Sequence, residues 1–92
     1  MSVEILPETS TNTQLCPQYK VLLHNDDHND MYFVMACLAQ VFSFSAEESF
    51  GIMKEAHEKG VALCKVEPKE HAEFHQEQLQ SFGLTATIEP EG

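Results

Sequence analysis

Asn25, Asp26 and Asp27 stand in a run of short polar side chains, His24-Asn25-Asp26-Asp27-His28-Asn29-Asp30, that contains neither glycine nor proline. Turning and helix capping account for some of them, because Asn and Asp side chains bond nearby backbone amides. The run is longer than a turn requires, and the acceptors of Asn25, Asp26 and Asp27 can converge on a cation. Two adjacent carboxylates repel phosphate. The pattern D-D-x-x-D lacks the spacing and central glycine of a calcium loop. An ammonium or guanidinium ligand remains, beside the plainer alternative that the loop only turns and caps. An ammonium has donors and no acceptor, so it wants several acceptors, at least one anionic, in a partly desolvated place.

Other groups carry weaker signals. His71 and His75 are a helical turn apart, with Glu70 and Glu73 nearby. They make a possible metal pair, but H-E-x-x-H is absent and no third ligand is evident, so a solvated helix surface explains them better. Cys16, Cys37 and Cys64 are odd in number and widely spaced, without a C-x-x-C. Neither a disulfide framework nor a zinc ribbon is indicated, and Cys37 and Cys64 read as small buried hydrophobes. Nothing calls for a cofactor.

Charge narrows the partners. The formal net charge is −10, with five Lys plus Arg and no arginine among them. Nucleic-acid binding needs phosphate-neutralising cations, so that class is excluded. A negative surface instead attracts positive groups, of which a free peptide N-terminus is one. No apolar run approaches the ~20 residues of a membrane span. The opening MSVEILPETSTNTQ has no basic region followed by an apolar one and is not Arg-rich, unlike signal and transit peptides. The expected location is the cytoplasm, or a plastid stroma for a mature form.

Residues 1–17, aperiodic and rich in Thr, Ser, Glu, Asn and Pro, are expected to form a flexible N-terminal arm. Residues 18–92 suffice for one domain with one modest core. Tyr19 to Leu23 suits a strand. Met31, Val34, Met35, Leu38, Val41 and Phe42 recur at helical spacing, predicting a helix from Met31 to Phe42 capped by Asn29 or Asp30. Ser45-Ala46-Glu47-Glu48 is a capping box that opens a second helix, Ala46 to Lys59, with Ala46, Phe50, Met53 and His57 on one stripe and Gly60 as its stop. Val61 to Val66 reads as a strand. Pro68, at the first helical position, starts a third helix with Ala72, His75, Leu79 and Phe82 on one side, stopped by Gly83. Leu84 to Ile88 reads as the last strand. The order β-α-α-β-α-β predicts an α+β fold, with three helices on one face of a small antiparallel three-stranded sheet.

The Asn25-Asp26-Asp27 loop, followed by Met31 and a helix, resembles the signature of the ClpS adaptors. The resemblance continues in Met53-Lys54-Glu55-Ala56-His57-Glu58-Lys59-Gly60, which looks like M-x-x-[VA]-H-x-x-G, in Glu70-His71-Ala72-Glu73, and in Gly83 to Glu89. It implies the same α+β arrangement and a non-enzymatic role. Such adaptors bind free, large hydrophobic N-terminal residues (Leu, Phe, Tyr, Trp) and pass the substrates to an AAA+ Clp protease. On that likeness Asn25, Asp26 and His57 contact the ligand's α-amino group, with Asp27 in support. Met31, Val34, Met53, Ala56 and Leu84, with Asn29, surround its side chain. Met31 looks like the gatekeeper that rejects β-branched residues. Glu70 and Glu73 match acids that touch the N-terminal domain of a ClpA- or ClpC-type ATPase, and His75 replaces a basic residue of some members. The N-terminal arm would engage the protease machinery during delivery. Asp30, Asn29, His28 and Ala56 depart from common family residues at their positions.

Two other readings are open on the residues alone. One is a small metal-dependent hydrolase built on Asp26, Asp27 and His57, for which no nucleophile is evident. The other is an interaction domain on a related fold, in which the acidic loop only caps a helix.

Overall fold

A computed structural model describes residues 16–92. The expected arm falls outside the described residues except for its last two, Cys16 and Pro17. Six elements follow in chain order: β1 (Gln18–His24), α1 (Met31–Phe42), α2 (Ala46–Lys59), β2 (Val61–Pro68), α3 (Lys69–Ser81) and β3 (Thr85–Pro90). This is the β-α-α-β-α-β order expected from the sequence.

The strands form one antiparallel sheet in the order β2-β1-β3, so the strand leading into the acidic loop is central. Its inward residues, Val21 and Leu23, are buried, and Leu23 lies opposite Ala62 and Ala86. The β1–β2 register shifts between Val21 and Leu22: Val21 faces Lys65, Leu22 faces Leu63, and Cys64 is the extra residue of a bulge. The opposite face carries Leu63, Thr85 and Thr87, all exposed. Alternation of this kind leaves one face for helices. α2 and α3 lie directly against the sheet, and α1 packs on those two helices. Leu38, Leu79 and Val21 are fully buried in the shared core, each contributing about 1.5–3 kcal/mol.

The helix ends follow local chemistry. Asp30 caps α1 by accepting from the backbone amides of Tyr32 and Phe33 at 2.9 and 3.3 Å. Ser45 and Glu48 complete the capping box of α2, at 3.1 and 2.9 Å. Gly60 ends α2 at φ +92°, in the left-handed region that glycine enters without a Cβ penalty.

Three readings of the sequence are corrected. Pro68 is the last residue of β2 and the N-cap of α3, whose first residue is Lys69, because Pro68 pairs with Gln18 in the sheet. Leu84 precedes β3, whose strand runs on to Pro90, opposite Tyr19. The buried face of α2 is Ser49, Met53 and Ala56, with Ile52 partly covered, whereas Ala46 and His57 are exposed and Phe50 is 48% exposed. The stripe through α3 is as read: Ala72 and Leu79 are buried, and His75 and Phe82 are partly so. Cys37 and Cys64 are buried free thiols. Burial raises both, Cys64 to about 12.

Candidate ligand-binding site

Where β1 leaves the sheet, the loop after it meets the end of α2 and the entry to β3. The backbone N–H of Asn25 donates to the Gly60 carbonyl at 3.0 Å. His57, in the last turn of α2, is thereby held beside the loop. Within the loop the Asp26 carboxylate is the organising acceptor. Its Oδ1 takes the backbone N–H groups of His28 and Asn29 at 3.0 and 3.1 Å. The Asn29 amide nitrogen donates to Oδ1 and Oδ2 at 3.1 and 3.2 Å, and to the Gly83 carbonyl at 3.1 Å. Asp26 is therefore part-buried and pre-oriented, while the side chains of Asn25, Asp27 and His57 are open to solvent.

These elements enclose a cavity of about 220 Å³ lined by Leu23, His24, Asn25, Asp26, Asp27, Asn29, Met31, Val34, Met53, Ala56, His57 and Leu84. Every residue that the sequence pointed to for the amine and the side chain lies on this one cavity. Asn25, Asp26, Asp27 and His57 supply polar groups. Met31, Val34, Met53, Ala56 and Leu84 supply apolar wall. Met53, Ala56 and Leu84 are buried, and Met31 is 50% exposed. Helical spacing places them: Met31 and Val34 are a turn apart on α1, as are Met53 and Ala56 on α2.

Leu23 and His24 also line the cavity and were not foreseen. Their signal is positional, since they end the strand that runs into Asn25. The His24 Nε2 pairs with Thr87 Oγ1 at 2.7 Å, tying the end of β1 to β3. Asn29 was expected as cavity wall; it lines the cavity and also bridges Asp26 to Gly83.

The second predicted group divides. Glu70 and Glu73 are exposed on α3. The His75 side chain is only 18% exposed, and its Nδ1 lies 2.5 Å from Oε2 of Glu67, a carboxylate buried to 4%. The His75 ring also packs on Phe42 and Phe74, at centroid separations of 4.8 and 5.7 Å. Among the described residues no group of three or more His, Cys, Asp and Glu is arranged to hold a metal ion, and the Nδ1 of His75 is engaged by Glu67.

Comparison with known proteins agrees with this architecture. The family model for the ATP-dependent Clp protease adaptor protein ClpS matches residues 14–87. The ClpS adapter protein of Synechococcus elongatus is 46% identical over 97 residues, covering 99% of each chain. A chloroplastic Clp protease adapter of Chlamydomonas reinhardtii is 46% identical over 77 residues, covering 83% of this chain and 48% of its own. The solved structure of an Agrobacterium tumefaciens ClpS protein bound to L-phenylalaninamide superposes with a TM-score of 0.76 at 34% identity, covering 82% of this chain and 98% of that one. A family match over most of the length, near-complete overlap with a curated relative, and a shared fold together place this chain in the ClpS family of Clp protease adaptor proteins.

Proposed function

We propose that this protein reads the free N-terminal residue of substrate proteins and delivers them to a Clp ATPase–protease. The observation that carries the reading is the cavity itself, which has acceptors at Asn25, Asp26, Asp27 and His57 and an apolar wall on the same volume. A first residue presents that same pair of features, an ammonium and a side chain on one carbon. Asn25, Asp26 and a ring nitrogen of His57 accept from the ammonium, and Asp27 adds negative potential. Met31, Val34, Met53, Ala56 and Leu84 receive the side chain. A cavity of about 150 Å³ holds a benzene ring, so about 220 Å³ suits Leu, Phe, Tyr or Trp. The bound phenylalaninamide of the Agrobacterium protein has this chemistry.

Magnitudes support an adaptor that holds and releases. Burying ~100 Å² of ligand surface gives roughly 2–3 kcal/mol. Hydrogen bonds to a charged group give about 1.5–3 kcal/mol each. After the cost of association, the dissociation constant falls around micromolar or tighter.

The partner is the N-terminal domain of a ClpA- or ClpC-type ATPase. Glu70 and Glu73 face it from α3, and His75 contributes its remaining exposed edge. Residues 1–17 act as the delivery arm ahead of the adaptor domain. No helix among the described residues is long and apolar enough to cross a membrane, and cyanobacterial and chloroplastic relatives make the cytoplasm or plastid stroma the proposed location. The role requires no catalytic residue. A degradation assay tests delivery: with the Clp ATPase and protease present, this protein should accelerate loss of a reporter that begins with Phe and leave one that begins with Glu unchanged. Equal rates with and without the protein would refute it.

A further inference from the structure

We infer that Asn29 is a positioning residue that sets the distance between the amine-reading loop and the side-chain wall, so that the site measures how far a ligand's ammonium lies from its apolar group. The inference rests on the reading of the site proposed above. The Asn29 amide nitrogen has two hydrogens. One is shared over Asp26 Oδ1 and Oδ2, at 3.1 and 3.2 Å, and the other goes to the Gly83 carbonyl at 3.1 Å. Gly83 is anchored in turn. It sits at φ +87°, its N–H donates to the Gln80 carbonyl at 2.9 Å, and the next amide, of Leu84, donates to Leu79 at 3.1 Å. Leu84 is buried and lines the cavity. One planar amide thus joins the carboxylate that meets the ammonium to the backbone that carries an apolar wall. No single-donor side chain can make both connections.

The test uses the full chain and two peptides. One begins with Phe; the other begins with a Phe homologue in which an extra methylene separates the amine from the carbon bearing the benzyl group. The unsubstituted protein should prefer Phe. Asn29→Ala should weaken Phe binding about tenfold and change binding of the homologue far less, so that the preference collapses. Asn29→Asp keeps the shape but sets a carboxylate against Asp26 and the Gly83 carbonyl. A site working through negative charge alone binds Phe more tightly after this change, whereas the clamp requires weaker binding. Thermal unfolding of each variant shows that the domain is retained. Equal weakening of both peptides by Asn29→Ala, or tighter Phe binding by Asn29→Asp, would overturn the clamp alone. Failure of the unsubstituted protein to bind Phe would overturn the amine-reading site and the clamp with it.

Discussion

The backbone amide of Asn25 donates to the carbonyl of Gly60 at 3.0 Å, so the first acceptor of the loop and the end of the His57-bearing helix share one hydrogen bond. Gly60 can offer its carbonyl there because it adopts φ +92° and returns its own N–H to Ala56 at 2.8 Å. A Cβ at Gly60 would meet nothing within 4 Å, so substitution acts through the backbone alone. Gly60→Ala should cost about 1 kcal/mol in stability and weaken peptide binding as the loop loses its anchor. Urea unfolding and a peptide titration on the same sample check both effects.

Ala56 is 3% exposed and lines the cavity. Ala56→Val adds two methyl groups to that wall and takes volume from a cavity of about 220 Å³. The variant should lose affinity for a Trp-first peptide more than for a Leu-first one. An unchanged Trp-to-Leu ratio of dissociation constants would contradict the placement of Ala56 on the side-chain wall.

Ser43 closes α1 at φ 61°, ψ 32°, with its N–H on the Ala39 carbonyl at 2.8 Å. A residue with a Cβ is disfavoured there by roughly 1 kcal/mol. Ser43→Gly should therefore raise stability by about 0.5–1 kcal/mol, read as a higher urea midpoint, and leave peptide affinity unchanged because Ser43 is remote from the cavity.

Burial raises the Cys64 thiol from 9.0 to about 12, with the Glu67 charge adding to it. Its folded pKa is raised, so the associated stability is complete below the unfolded value and is lost as pH climbs toward the folded one. Stability should fall between pH 9 and about 12, by at most about 1.4 kcal/mol per pH unit from this group. Cys64→Ala should flatten that decline in alkaline unfolding curves. At neutral pH the Cys64 thiol should resist alkylation until the domain unfolds, while exposed Cys16 reacts.

Helix positions, the N-caps of α1 and α2 and the Gly60 stop were legible in the sequence because each follows from residues a few places apart. Periodicity failed on α2, where it favoured Phe50 over Ser49. Both fit a helical stripe, but Ser49 is 1% exposed and Phe50 is 48% exposed, because packing against a neighbour selects the face. The Ser49 hydroxyl is buried without a partner, a feature no pattern of apolar residues announces. Cavity membership was legible only through the resemblance of the Asn25-Asp26-Asp27 loop and the Met53 to Gly60 segment to the ClpS adaptors. The bond from Asn29 to Gly83 spans 54 residues, and the Glu67–His75 pair joins a strand to a helix. Neither leaves a local signal: the first depends on where the fold brings distant segments, the second on how α3 turns back against the end of β2.

The central claim is that this cavity reads a free amine and a large apolar side chain together. Fluorescence anisotropy with a Phe-first peptide and its N-acetylated twin tests it most directly. Acetylation removes the charge and two of the ammonium's three donors while leaving the ring intact. The free peptide should bind at about micromolar or tighter, and the acetylated one should bind at least about a hundredfold more weakly. Equal affinity of the two, or no binding by either, would contradict the account.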